Sequence, residues 1–231
     1  MRRPSRLWQV PVAIAAAIVL LVLGIVAGTA VSRARIALVR TARGGGTVDV
    51  GFAQDMARHH DQAVVMAQIV EDRASPRVRM LARQIAADQL LEIGELGGWL
   101  KLWEAPAFPP SGAMDWILRN PKARWTVSPA YFELCGTTPG GMPGLASVDE
   151  LNRLRAIGGH ALDVLFLQLM IRHHESAVPM ARFAADNAET PVVQSLASRI
   201  VSEQRQEIAA MSTMLRQMGG TPLPFPPSEE L

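Results

Sequence analysis

The sequence predicts an all-α protein: a four-helix bundle made of two repeated helical hairpins, preceded by one N-terminal transmembrane helix. Three observations carry this. A stretch of 25 residues, Leu7 to Val31, has no charged side chain. The rest of the chain holds two copies of one pattern, 114 residues apart. Hydrophobic residues make up 49% of the chain but aromatics only 5%, a profile rich in Ala, Leu, Val and Met that argues against a β-sandwich or barrel.

Residues 1–31 are read as a membrane anchor, because about 20 apolar residues span a bilayer as a helix. The alternative is a signal peptide cut near Gly28-Thr29-Ala30, which would leave a secreted protein. Arg residues flank the span on both sides, so charge alone does not orient it. Its N-terminal position favours a single-pass protein with the C-terminal part outside the cytoplasm. Residues 1–43 hold seven Arg and no acid, which leaves 16 basic against 21 acidic residues in the remainder. The pI of 9.2 therefore belongs to the N-terminus, and no nucleic-acid partner is expected. The single cysteine, Cys135, excludes a disulfide framework or a Cys-based metal cage within one chain. It is expected to be a buried or partly buried free thiol.

Residues 32–47 read as a linker and 219–231, Pro-rich, as a disordered tail. Between them, residues 48–218 form the duplicated domain. Asp49-Val-Gly-Phe-Ala-Gln-Asp-Met-Ala-Arg-His-His60 aligns with Asp163-Val-Leu-Phe-Leu-Gln-Leu-Met-Ile-Arg-His-His174. After a one-residue slip the match continues through Pro76/Pro191, Gln89/Gln204 and Glu92/Glu207. Each repeat reads as a hairpin, in the first copy Val48–Asp72 followed by Pro76–Leu102. Ser75 and Thr190 stand as N-caps before a Pro at the first helical position. Residues 103–146 are read as an irregular insert with at most a short helix near Met114–Arg119. Ser147-Val-Asp-Glu150 is a capping box that should start a helix over Val148–Ile157. His160 is expected in a loop and Met142 as a loop plug.

Helical spacing puts Met56, His59, His60 and Met66 on one face, and Met170, His173, His174 and Met180 on its copy. The second helices add Glu92 and Glu207. Imidazole suits Cu, Zn, Fe and Ni, and thioether selects Cu(I), so these ten residues are the candidate metal ligands. Glu92 and Glu207 could instead pair with Arg58 and Arg172. Asp88 and Glu203 are read as solvated. Because imidazole must be neutral to bind, affinity is expected to fall below about pH 6. The competing reading of the same face is core filling, with Met as apolar packing and His in a polar network.

The doubled Phe-x-x-x-Met-x-x-His-His-x-x-Ala-x-x-Met-Ala, each followed by Ile-x-x-x-Gln-x-x-Glu-Ile, resembles the domain-of-unknown-function 305 family of exported bacterial proteins. The resemblance covers about Val48 to Met218. It implies a ferritin-like four-helix bundle and, from a member associated with copper, binding of a transition metal ion, copper first. Handover would then imply a metal-handling partner. Two other readings stay open: a ferritin-like redox metalloenzyme, and a structural module whose Trp-rich insert docks a partner. The first is weakened because Met56-x-x-His59 and Met170-x-x-His173 replace the Glu-x-x-His of di-iron bundles, and no catalytic residue is assigned.

Overall fold

The computed structural model describes residues 16, 18–29, 31–32, 45–110, 112–138 and 141–225. The chain divides into two units, Met1–Gly44 and Gly45–Leu231. In the first, residues 16, 18–29 and 31–32 are helical. The start of the expected span, from Leu7, lies outside the described residues. No helix among the described residues is long and apolar enough to cross a membrane.

The second unit is helical throughout its regular structure. Its elements are α1 (Thr47–Val70), α2 (Pro76–Leu102), α3 (Asp115–Leu118), α4 (Ala123–Thr126), α5 (Pro129–Thr137), α6 (Val148–Ala156), α7 (Gly159–Asn187) and α8 (Pro191–Gln217). Two long hairpins, α1–α2 and α7–α8, pack through α1 against α7. The Ser147–Glu150 capping box is formed, with both reciprocal hydrogen bonds present.

The second helices start differently from the sequence reading. Ser75 and Thr190 are the N-cap residues of α2 and α8, yet neither side chain caps its own helix. The acceptors come from the opposite hairpin instead. Asp49, in the first turn of α1, accepts from the Glu189 and Thr190 amides at 2.8 and 2.9 Å and from the Thr190 hydroxyl. Its repeat partner Asp163 accepts from the Ser75 amide at 3.1 Å. A second pair follows the same two-fold relation. Gln54 donates to the Pro106 carbonyl after α2, and Gln168 to the Thr221 carbonyl after α8, both at 2.7 Å. Each hairpin thus ties down the start of the other's second helix and the end of its own, and α1 and α7 run antiparallel.

Asp49 is fully buried, and losing it leaves two amides at a helix start without their acceptor. Asp49→Ala is expected to cost about 2–3 kcal/mol and Asp163→Ala about 1 kcal/mol, according to the number of bonds lost. Urea unfolding of the two variants measures the difference, and equal costs would contradict it.

Three features correct the sequence reading. The insert contains three short helices, α3 to α5, where at most one was expected. His160 lies in the first turn of α7, exposed, and not in a loop. The segment read as a disordered tail packs back on the bundle over its first part: Gly220 donates to the Leu215 carbonyl at 3.0 Å, and Leu223 and Phe225 lie against the core. Residues 226–231, and most of the expected linker, lie outside the described residues.

The apolar core is in two clusters. One gathers Phe52, Met56, Leu96, Met180, Phe183, Leu196 and Ile200 with the insert residues Trp116, Ile117 and Tyr131. The other gathers Met66, Ile85, Leu154, Phe166, Met170, Met211 and Leu215. Along every long helix the residues between the two clusters are polar and buried: His59 and His60 on α1, Gln89 and Glu92 on α2, His173 and His174 on α7, Gln204 on α8. Glu207, half-buried, completes the layer on α8.

Candidate metal centre

The polar layer brings the motif residues together. The His59 and His173 rings stack with centroids 3.7 Å apart and a tilt of 38°. His173 Nε2 donates to the His59 carbonyl at 3.0 Å. His59 Nε2 lies 3.0 Å from Ser176 Oγ. Ser176 spends its own proton on the His173 carbonyl, 2.7 Å away, so His59 Nε2 is the donor in that contact. Both rings are therefore fixed as Nε2–H tautomers, and both Nδ1 atoms are buried lone pairs with no partner. A hydrogen bond on one ring nitrogen that leaves the other bare is how proteins orient a metal-binding imidazole. Burial, followed by the neighbouring histidines, holds His59 and His173 well below the usual imidazole pKa. They stay neutral in mild acid, so loss of ligand character through these two rings moves below the pH 6 expected from the sequence.

The outer histidines face carboxylates. His174 Nε2 and Glu207 Oε2 are hydrogen-bonded at 2.7 Å. His60 Nε2 and Glu92 Oε2 are also 2.7 Å apart, but off the N–H direction, so this is a contact and not an aligned hydrogen bond. The Nδ1 atoms of His60 and His174 are likewise buried and unpartnered. The alternative pairing of Glu92 and Glu207 with Arg58 and Arg172 is not formed. Arg172 makes a bidentate pair with Glu150 at 2.7 and 2.8 Å, and Arg58 lies 4.0 Å from Asp55.

All four motif methionines are buried, but they do not share one pocket. Met56 and Met180 sit in one apolar cluster, Met66 and Met170 in the other, so the thioethers flank the histidine layer on its two sides. Met142 plugs the first cluster at 2% exposure. Cys135 is a buried free thiol whose pKa burial pushes up to about 12, which leaves no thiolate to act as nucleophile or ligand at neutral pH. Among the described residues, no three His, Cys, Asp or Glu side chains close around a single point.

Two contributors were missed in the sequence. Ser176, which tethers His59, occupies the repeat position of Gln62. That break in the repeat was the available signal. Gln62 uses its amide to hold Ala146 through both backbone groups, at 2.7 and 2.9 Å. The insert is the other contributor. Tyr131 of α5 donates to the Ser176 carbonyl at 2.8 Å, and Gly144 presses on Ser176. Asp55 fastens the insert to α1 by accepting from the Met114 amide at 2.7 Å and the Trp116 indole at 2.9 Å. Trp116 then packs on Phe52 and Phe183. The insert therefore covers one side of the histidine layer, although Trp125 remains exposed.

Fold and site together define a duplicated helical-hairpin bundle with a buried histidine layer at its pseudo-two-fold axis. The chain belongs to the family described as "Domain of unknown function (DUF305)", whose profile matches residues 49–215. A DUF305 crystal structure from Streptomyces coelicolor, described as a candidate secreted protein, is 34% identical with a TM-score of 0.66, covering 77% of this chain and 98% of that one. A DUF305 fragment from Deinococcus radiodurans is 30% identical with a TM-score of 0.59, covering 75% and 99%. CopM in its Cu(I)-bound form is 28% identical with a TM-score of 0.54, covering 74% and 98%. No curated protein matches the chain.

Proposed function

We propose that this protein is a membrane-anchored, extracytoplasmic bundle that binds a transition metal ion, copper first, for buffering or handover. The observation that carries the proposal is the His59–His173 pair: two neutral, tethered imidazoles with bare, buried Nδ1 atoms, flanked by four buried thioethers. Imidazole with thioether is the donor set that takes copper without cysteine. His59, His173, Met56, Met66, Met170 and Met180 would hold the ion. His60 and His174, set by Glu92 and Glu207, would complete or support the site. The copper-bound relative CopM supports the choice of metal. The description of the Streptomyces relative as a candidate secreted protein supports placement outside the cytoplasm. Anchoring rests on the apolar Leu7–Val31 segment of the sequence.

Titration of untagged protein with Cu(I) against a chromophoric competing chelator tests this. Wild type is expected to withdraw Cu(I), and His59→Leu/His173→Leu to lose at least about 100-fold in affinity. A variant with Met56, Met66, Met170 and Met180 all replaced by Leu conserves core volume and reads the thioethers separately. Wild type binding Cu(I) no better than both variants would end the copper reading.

A further inference from the structure

The second helices of the hairpins do not close against each other at the level of the polar layer. Between α2 and α8 lies a cleft of about 370 Å³, lined by Asp88, Gln89, Glu92, Glu203, Gln204 and Glu207 among others. The two halves mirror each other through the repeat, each helix giving two carboxylates one turn apart and one repeat-related glutamine, Gln89 or Gln204. No Lys or Arg lines the cleft. Arg199, near its edge, is engaged with Glu95 at 2.8 Å and reaches Glu203 only at 3.8 Å.

Crowded carboxylates alone would mean little, but the floor of the cleft carries unspent polar atoms. Gln89 is 2% exposed and neither its oxygen nor its nitrogen has a partner. Gln204, also 2% exposed, leaves its oxygen unpartnered, and Glu92, 5% exposed, leaves Oε1. Buried polar atoms without partners are costly and uncommon. Here three residues that line one anionic cleft, Gln89, Gln204 and Glu92, each carry a buried oxygen without a partner. All are hard donors, unlike the imidazole and thioether of the core.

We propose that this cleft is a second site, which binds a hydrated divalent cation of the Mg²⁺ or Mn²⁺ class through oxygen and borders the soft-metal centre through Glu92 and Glu207. Mg²⁺ dehydrates reluctantly, keeps several waters and needs only one or two carboxylates directly. Convergence of three acidic side chains on one point is therefore not required. The glutamine oxygens and the remaining carboxylates accept from the bound water.

Mn²⁺ alone serves as the probe, titrated into metal-free full-length protein in a neutral detergent and followed by the EPR signal of free Mn²⁺. Wild type is expected to bind saturably. Asp88→Asn/Glu203→Gln is expected to weaken binding at least tenfold, and because both residues are exposed the variant keeps its fold, checked by circular dichroism. The four-Met-to-Leu variant is expected to bind Mn²⁺ as wild type does, whatever it does with Cu(I). Absence of Mn²⁺ binding, or equal binding by Asp88→Asn/Glu203→Gln, overturns the site. Equal loss in the four-Met-to-Leu variant places the ion in the core and also overturns it.

Discussion

Acidification from about pH 6.5 to about 5 is expected to weaken the metal-free bundle by up to about 3 kcal/mol. The cause is the buried pair His59 and His173, which burial keeps from protonating in the folded state. In the unfolded chain both rings take up protons near the ordinary value of about 6.5. Below that pH the unfolded state binds protons that the bundle refuses, so folding stability falls as pH falls, by about 1.4 kcal/mol per pH unit for each ring, until the depressed folded values are reached. Against a typical total of about 5–15 kcal/mol this is a large fraction. Glu203 works in the opposite sense. Partial burial and the neighbouring Glu92 push it up to about 7, so its protonation makes folding more favourable as pH falls. Because it is half exposed, its effect is reduced by solvent screening, and Glu203→Gln removes it. Burial also raises the carboxyls of Asp55, Asp88 and Glu175, so urea midpoints of that variant, measured from neutral pH down to about pH 5, are compared with those of the same variant carrying His59→Leu/His173→Leu; the steeper fall is expected with the histidines present, and parallel profiles would show that the two rings titrate normally.

Gly144→Ala is expected to cost about 3 kcal/mol and to lower the melting temperature by about 10 °C. Gly144 has φ +79°, where an L side chain is strained. A Cβ there would stand 2.3 Å from Ser176 Cβ and 2.9 Å from the Arg172 carbonyl. Neither neighbour can swing aside, since both belong to α7. The displaced residue is also the one whose hydroxyl holds His59. The same substitution is therefore expected to weaken Cu(I) binding, if the ion is held as proposed. Gly136→Ala is the control: nothing lies near its Cβ position, so it should leave stability unchanged or slightly raised. Equal melting temperatures for the two variants would contradict the close approach.

The repeat made most of the fold legible. Offset matching placed all four long helices and identified the His-His pairs as inward-facing, because apolar spacing on a helix reports burial directly. What periodicity cannot report is which hairpin supplies a given partner. Ser75 and Thr190 have the right residue types for N-caps, yet the acceptors are Asp49 and Asp163, far away in sequence. Local pattern also left Glu92 and Glu207 open, because their charge fits Arg58 and Arg172 as well as it fits His60 and His174. Only packing decides between them. The insert was the least legible part, because short helices held by Asp55, Tyr131 and Arg172 have no periodicity long enough to read.

The polar layer is built from both copies at once: one hairpin alone would present a single imidazole of the stacked pair and half of the facing cleft. A two-fold dimer of separate hairpins would have the same arrangement, but every residue in it would appear twice. In a single chain the two copies can differ: position 62 is Gln and holds the α6 approach, position 176 is Ser and tethers His59, and Arg172 pairs with Glu150 where Arg58 has no such partner. The two halves of the layer, alike in pattern, do separate jobs.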